Sequence, residues 1–301
     1  MTIVCERYET REEWLQARST FLGASEIAAI LGMGYADQSP ITIWAEKVHG
    51  TVDEHEKKRL RIGTMMEPVL RQMFTEETGL PCQSVQHEVR RHPVYPFLGA
   101  TLDGLTTDER DEFSIPVELK NVGQFNLKDW LDEPPLKFQL QVQQQMAVTG
   151  APYCYLFALI GGMTPSVVRL ERHERLIAGL VREAERFWGY VERRELPPVD
   201  DSEATAKALS RIWREDEGKA ILLPSESQEW AERLEAAKEA KKSAEAEERK
   251  FANLLKGAIA DATFGDVPGF GRFSYKTQTT AAHEVKESTF RVLRRVKVKG
   301  Y

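Results

Sequence analysis

Asp103, Glu118 and Lys120 are the residues of this chain whose types and spacing best suit chemistry. Glu118 and Lys120 lie in Ile115-Pro116-Val117-Glu118-Leu119-Lys120, a run that reads as a strand. A period of two puts Ile115, Val117 and Leu119 on one face and sets the carboxylate and the ammonium together on the other. Asp103 ends an earlier strand-like run, Phe97 to Gly104, and a hairpin turn over 106–113 would bring it beside Glu118. Hard cations such as Mg²⁺ take oxygen ligands and usually only one or two carboxylates, keeping waters and substrate phosphate in the other positions. A bound metal lowers the pKa of its water and stabilises charge on phosphate, and two metals can clamp the attacking and leaving oxygens. A lysine alongside can steer or deprotonate the water and offset charge in the transition state. The chemistry so implied is phosphodiester hydrolysis, although the three residues alone would fit a charged surface hairpin as well.

Three further features bear on that reading. The segment Gly63-Thr64-Met65-Met66-Glu67-Pro68 opens a helix whose expected buried stripe is Met66, Val69, Leu70, Met73 and Phe74. Glu67 fits the last place of a capping box begun at Thr64; Pro68 prefers a first turn, which would start the helix at or after Glu67 and leave its carboxylate free. Phe138, Gln141, Val142, Gln145 and Thr149 share one face of a helix expected over about 135–149, where Gln141 suits either packing or the orientation of a nucleophile and a lysine. Ser25 stands where a short helix over 26–31 should begin, an ordinary N-cap. With Arg18 upstream, the same helix end is also suited to an anion.

The elements that must position these residues form one α/β (α+β) unit over 1–198, punctuated by turn signals at Gly32-Met33-Gly34, His92-Pro93 and 132–135. After Leu196-Pro197-Pro198 the composition shifts, and 199–301 reads as an extension. In it Trp230, Leu234, Ala237, Ala244, Phe251, Leu255 and Ala258 recur at helical steps, the stripe of one long amphipathic helix. A glycine-punctuated hairpin follows from Gly265 to Thr280, then a basic tail from Arg291 to Lys299.

The bulk numbers narrow the classes. The chain has 301 residues and a net charge of −6, an odd balance for a protein gripping a polyanion, yet an enzyme needs only a local positive lining. Cys5, Cys82 and Cys154 supply neither a disulfide framework nor a CxxC knuckle, and the six histidines show no ligand spacing, so carboxylates remain as metal ligands. No run approaches the ~18 apolar residues of a membrane span, and Met1 to Glu13 lacks the order of a secretory signal. A cytoplasmic location is expected.

In order along the chain, Arg18…Gly23-Ala24-Ser25, Gly63-Thr64-x-x-Glu67-Pro68, Leu102-Asp103-Gly104, Val117-Glu118-Leu119-Lys120 and Gln141-Val-Gln…Met-Ala-Val-Thr-Gly150 resemble the YqaJ-type viral recombinase family, related to the lambda phage exonuclease, within the PD-(D/E)XK nuclease superfamily. The resemblance covers roughly the first 160 residues. It implies a PD-(D/E)XK core, a central mixed β-sheet flanked by helices, and a nuclease domain over 1–198. It implies that Asp103, Glu118 and the main-chain carbonyl of Leu119 bind Mg²⁺, that Glu67 supports a second ion, and that Mn²⁺ can substitute. Lys120 would activate the water with help from Gln141, and Arg18 and Ser25 would hold the 5′-phosphate of a resected strand. The activity implied is 5′-to-3′ exonuclease action on double-stranded DNA ends for phage-type recombination. A partner single-strand annealing protein of the RecT or Red beta kind, a trimeric ring, and a phage or prophage origin in a bacterial host go with it. Two departures are Leu102 in place of the usual proline and Phe138 where an aromatic hydroxyl is often found. The alternatives are an endonuclease or nickase on the same fold, and a DNA-binding or scaffold protein without turnover.

Overall fold

The computed structural model describes residues 4–50, 58–107, 114–130, 133–213, 218 and 220–280. In chain order the first compact unit contains β1 (Val4–Arg7), α1 (Arg11–Arg18), β2 (Leu22–Gly23), a 3₁₀ turn (Ala24–Glu26), α2 (Ile27–Ile30), α3 (Pro40–His49) and α4 (Lys58–Thr78). There follow β3 (Glu88–Arg91), β4 (Leu98–Ala100), β5 (Gly104–Thr106), β6 (Ile115–Val122), a 3₁₀ segment (Gln124–Trp130), α5 (Leu136–Thr149), β7 (Tyr153–Ile160), β8 (Thr164–Glu171), α6 (Glu174–Arg193) and α7 (Glu203–Ile212). The unit closes at Arg214. The division thus falls beyond the 198/199 boundary expected from composition, because α7 packs on α3 and Thr205 donates from Oγ1 to Ser39 Oγ at 2.8 Å.

Two four-stranded sheets carry the unit. One has the order β5-β6-β7-β8, with β6 and β7 parallel and both outer pairs antiparallel. The other has the order β1-β3-β4-β2. Parallel strands need a crossover, and α5 supplies it between β6 and β7. The β7 sequence Tyr-Cys-Tyr-Leu-Phe-Ala-Leu-Ile is apolar without alternation, as a strand covered on both faces must be. On one face Leu70 and Phe74 of α4 meet Val117, Leu119, Phe157 and Leu159. On the other, Val142 and Met146 of α5 meet Ile115, Tyr153 and Cys154. The alternation expected of β6 therefore holds for Val117 and Leu119, while Ile115 packs with the α5 cluster.

Three sequence expectations are corrected. The run 97–104 is not one strand: β4 pairs in one sheet and β5 in the other, with Asp103 at the bend between them. Close packing explains the glycines here. A Cβ on Gly99 would lie 2.3 Å from the Phe21 ring, and one on Gly104 would lie 2.5 Å from Cys82 Sγ. Helix α4 starts at Lys58, well before Pro68, which sits inside it. An interior proline costs about 3 kcal/mol, and burial of Leu70 and Phe74 offsets it. Glu67 is therefore mid-helix rather than in a capping box, and Val69 is exposed rather than buried. Ser25 is not an N-cap: it lies inside the 3₁₀ turn, whose capping position is Gly23, with Glu26 accepting from Gly23 N at 2.7 Å.

The second unit begins at Glu215. Its helix α8 (Ser227–Ile259) and antiparallel strands β9 (Phe264–Val267) and β10 (Gly271–Ser274) form where a long helix and a hairpin were expected. No α8 side chain is buried. The basic run 291–299 lies outside the described residues. Among the described residues no helix is long and apolar enough to cross a membrane.

Candidate active site

Asp103 and Glu118 meet where β5 gives out along β6. The last pair is Gly104 with Val117, so beyond it the edge of β6 has no strand partner on that side among the described residues. Asp103 takes the vacancy: its Oδ2 accepts from Leu119 N at 2.9 Å. A strand residue points its N–H and C=O to the same edge, so the Leu119 carbonyl faces the Asp103 side too. Arg71 of α4 donates from Nη1 to the Asp103 carbonyl at 3.0 Å and holds the bend in place.

Glu118 is 2% exposed, a burial that a carboxylate tolerates only when hydrogen-bonded. Its Oε1 accepts from Lys120 Nζ and from Gln141 Nε2, the latter at 2.7 Å, and its Oε2 accepts from Gln145 Nε2 at 2.5 Å. Gln141 and Gln145 are four apart on α5 and share a face, as the i, i+4 rule demands. Lys120 Nζ also reaches Gln141 Oε1 at 3.2 Å and lies 4.9 Å from the Phe138 ring centroid. Desolvation pulls the Lys120 pKa down, but the charges of Glu118 and Asp103 outweigh it and hold the side chain firmly as an ammonium. Burial first, then the Glu118 charge, pushes the Asp103 carboxyl well above the usual range.

Glu67 enters from α4. Its Oε2 lies 3.8 Å from Arg71 Nη1, and it feels the charges of both Glu118 and Lys120. Burial raises its pKa despite Arg71. Asp103, Glu118, Lys120, Gln141 and Glu67 thus come together from a bend, a strand and two helices. Gln145 belongs with them. The sequence showed it only as one member of a helix face; its spacing from Gln141 was the available signal.

Arg18 and Ser25 lie on either side of β2. Arg18 ends α1 with its guanidinium 4.8 Å from the Trp14 ring, and Ser25 is exposed on the 3₁₀ turn. A lysine with a buried side chain bridges the Arg18 backbone and the residue after Ser25: Lys47 Nζ donates to the Arg18 carbonyl at 2.8 Å and to the Glu26 carboxylate, at Oε1, at 2.9 Å. Gln144 of α5 ties this region to the sheet, donating to the carbonyls of Leu22 and Gly99 at 2.9 and 3.0 Å.

Donor chemistry decides whether a cation suits the cluster. Among the described residues no three His, Cys, Asp or Glu side chains gather at ligating distances. Magnesium does not require three, since one or two carboxylates and several waters are its usual shell. Asp103, Glu118 and the Leu119 carbonyl would meet that need, with Asp103 fixed on Leu119 N.

Residues 13–152 match the model of the YqaJ-like viral recombinase domain. The chain carries a YqaJ-like domain. The protein YqaJ of Bacillus subtilis (strain 168) is 27% identical over 267 residues, spanning 87% of this chain and 82% of its own. LHK-Exo in complex with dAMP is similar in structure, with a TM-score of 0.51 and 27% identity over 61% of this chain and 93% of its own. Another structure of that alkaline exonuclease, from Laribacter hongkongensis, has a TM-score of 0.49 and 24% identity over the same shares. The YqaJ-like domain holds all the site residues named above, and its central mixed sheet between α4 and α5 is a PD-(D/E)XK core.

Proposed function

We propose that this chain is a Mg²⁺-dependent deoxyribonuclease that resects double-stranded DNA ends from 5′ to 3′. The observation that carries the reading is the convergence of Asp103, Glu118 and Lys120 at the free edge of β6, with Leu119 N fixing Asp103 and two α5 amides fixing Glu118. Asp103, Glu118 and the Leu119 carbonyl would hold the ion, with Glu67 supporting a second, and Mn²⁺ would substitute. When bound, the ion supplies a water of lowered pKa and charge stabilisation on the phosphate. Lys120 steers the water and offsets negative charge as the phosphorus centre is attacked, and Gln141 fixes the direction of Lys120 Nζ. Similarity to an alkaline exonuclease crystallised with dAMP supports a nucleotide product.

Polarity rests on Arg18 and Ser25 as the 5′-phosphate site. Digestion of linear duplexes labelled at either end, beside a closed circular duplex in Mg²⁺, tests it. Label should leave the 5′ end first, and the circle should survive. Cleavage of the circle would refute the exonuclease reading, and early loss of 3′ label would refute the direction. The family's description as viral recombinases supports a recombination role in a bacterial host, with a RecT or Red beta type annealing partner. A trimeric ring rests on resemblance alone.

A further inference from the structure

The Phe138 ring is a hub beside the catalytic cluster, and its neighbours go beyond what hydrolysis needs. Lys120 Nζ lies 4.9 Å from its centroid and Lys137 Nζ lies 5.2 Å from it. The Tyr35 ring meets Phe138 edge-on at 6.4 Å, and Trp130 lies 5.4 Å away. Lys137 is held closely to Tyr35, 4.1 Å from the ring centroid. Two ammonium groups therefore stand on one aromatic ring, one inside the cluster and one at its rim.

Lys137 also stands near the N-terminus of its own helix. It lies in the first turn of α5, where the helix dipole disfavours a cation. Phe138 is buried, whereas Tyr35, Trp130 and Lys137 are each partly exposed, so the rim of the cluster is basic and aromatic at once. That combination suits a nucleic-acid strand, whose phosphates take the cations and whose bases take the rings. One strand carries a charge about every 3.4 Å of axial rise, so a strand threaded past Lys120 also passes Lys137.

We propose that Lys137, oriented by the rings of Tyr35 and Phe138, binds a backbone phosphate of the substrate strand next to the one being cleaved. This subsite rests on the nuclease reading above. Lys137 is a binding residue and Tyr35 a positioning residue, which holds the Lys137 stem and ammonium in place.

The test measures binding apart from cleavage. A fluorescein-labelled 5′-phosphorylated duplex is titrated with the full chain in EDTA at several salt concentrations. Lys137→Met, which keeps the stem and removes the charge, should weaken binding several-fold and reduce the slope of log K against log salt by about one. Tyr35→Leu should behave similarly, and Tyr35→Phe should restore wild-type affinity because the ring is what holds the lysine. Lys207→Met, which removes an exposed lysine paired with Glu203 on α7, should alter neither affinity nor slope. In Mg²⁺, Lys137→Met should raise KM more than it lowers kcat. If wild-type protein binds and cuts DNA while Lys137→Met matches it in affinity and slope, the subsite is wrong and the nuclease reading stands. If wild-type protein neither binds nor cuts duplex DNA, both fall.

Discussion

Gln145 donates from Nε2 to Glu118 Oε2 at 2.5 Å, one helical turn beyond Gln141, whose amide donates to Oε1 of the same carboxylate. The crossover helix thus does more than connect two parallel strands. It carries the donors that allow a carboxylate to sit 2% exposed in the sheet, and it sets which way that carboxylate faces.

Removing one of those donors should affect stability and activity together. Gln145→Leu leaves Glu118 Oε2 buried without a partner, which costs about 1–3 kcal/mol. Urea unfolding should show that loss, and hydrolysis should slow by roughly tenfold or more, since small misplacements at a reacting centre are costly. Gln143→Leu should lower stability with a smaller effect on turnover, because Gln143 bonds Glu171 O and His173 N instead of the cluster.

The proposed end-phosphate site at Arg18 and Ser25 has its own test. Arg18→Ala should remove discrimination between duplexes with 5′-phosphate and 5′-hydroxyl ends. Hydrogen bonds to charged groups contribute about 1.5–3 kcal/mol, so the wild-type preference should be on the order of tenfold or greater. Initial rates on the two substrates check this, with the 5′-hydroxyl rate of the variant close to that of the wild type. A preference that survives in Arg18→Ala would place the phosphate elsewhere.

His92 gives a pH dependence of folding with a definite sign. Its Nδ1 accepts from the main-chain N–H groups of Val94 and Tyr95, each at 3.1 Å, so it must be unprotonated at that nitrogen. Burial, then the charge of Arg172, lowers its pKa below the ordinary value. The unfolded chain therefore takes up the proton at higher pH than the folded one. The contribution is complete above about pH 6.5, the ordinary histidine value, and is lost as pH falls from there through the folded pKa. Thermal unfolding of wild type and His92→Asn, whose amide oxygen accepts without titrating, should diverge as pH drops from 7 to 5, with wild type losing more. Parallel curves would contradict this.

Much of the site was legible because β6 obeys a period of two: Val117 and Leu119 go to α4, and Glu118 and Lys120 go to the glutamines of α5. The proximity of Asp103 to Glu118 was also legible, although by another route than one hairpin. What decides that bend is tertiary: Phe21 packed over Gly99 and Cys82 packed against Gly104 are contacts with distant parts of the chain. The start of α4 was hidden for a similar reason, since local preference puts Pro68 in a first turn while burial of Leu70 and Phe74 keeps the helix intact around it. Ser25 read as a cap because its residue type favours one, but the Glu26 side chain bonds Gly23 N instead and moves the cap upstream. Lys47 gave no signal at all, because its role depends on a carbonyl and a carboxylate that only the folded chain brings together.

In the proposed function Asp103 and Lys120 work with a divalent cation to hydrolyse DNA. Hydrolysis of a linear duplex by purified wild type, Asp103→Asn and Lys120→Ala, in Mg²⁺ and in EDTA, tests it most directly. Asp103→Asn keeps an oxygen for Leu119 N, so loss of activity should come without loss of fold. Wild type should digest the duplex in Mg²⁺ and stop in EDTA, and both variants should fall by roughly 10²-fold or more with thermal unfolding little changed. Wild-type rates in either variant, or digestion that continues undiminished in EDTA, would overturn the metal-assisted reading of Asp103 and Lys120.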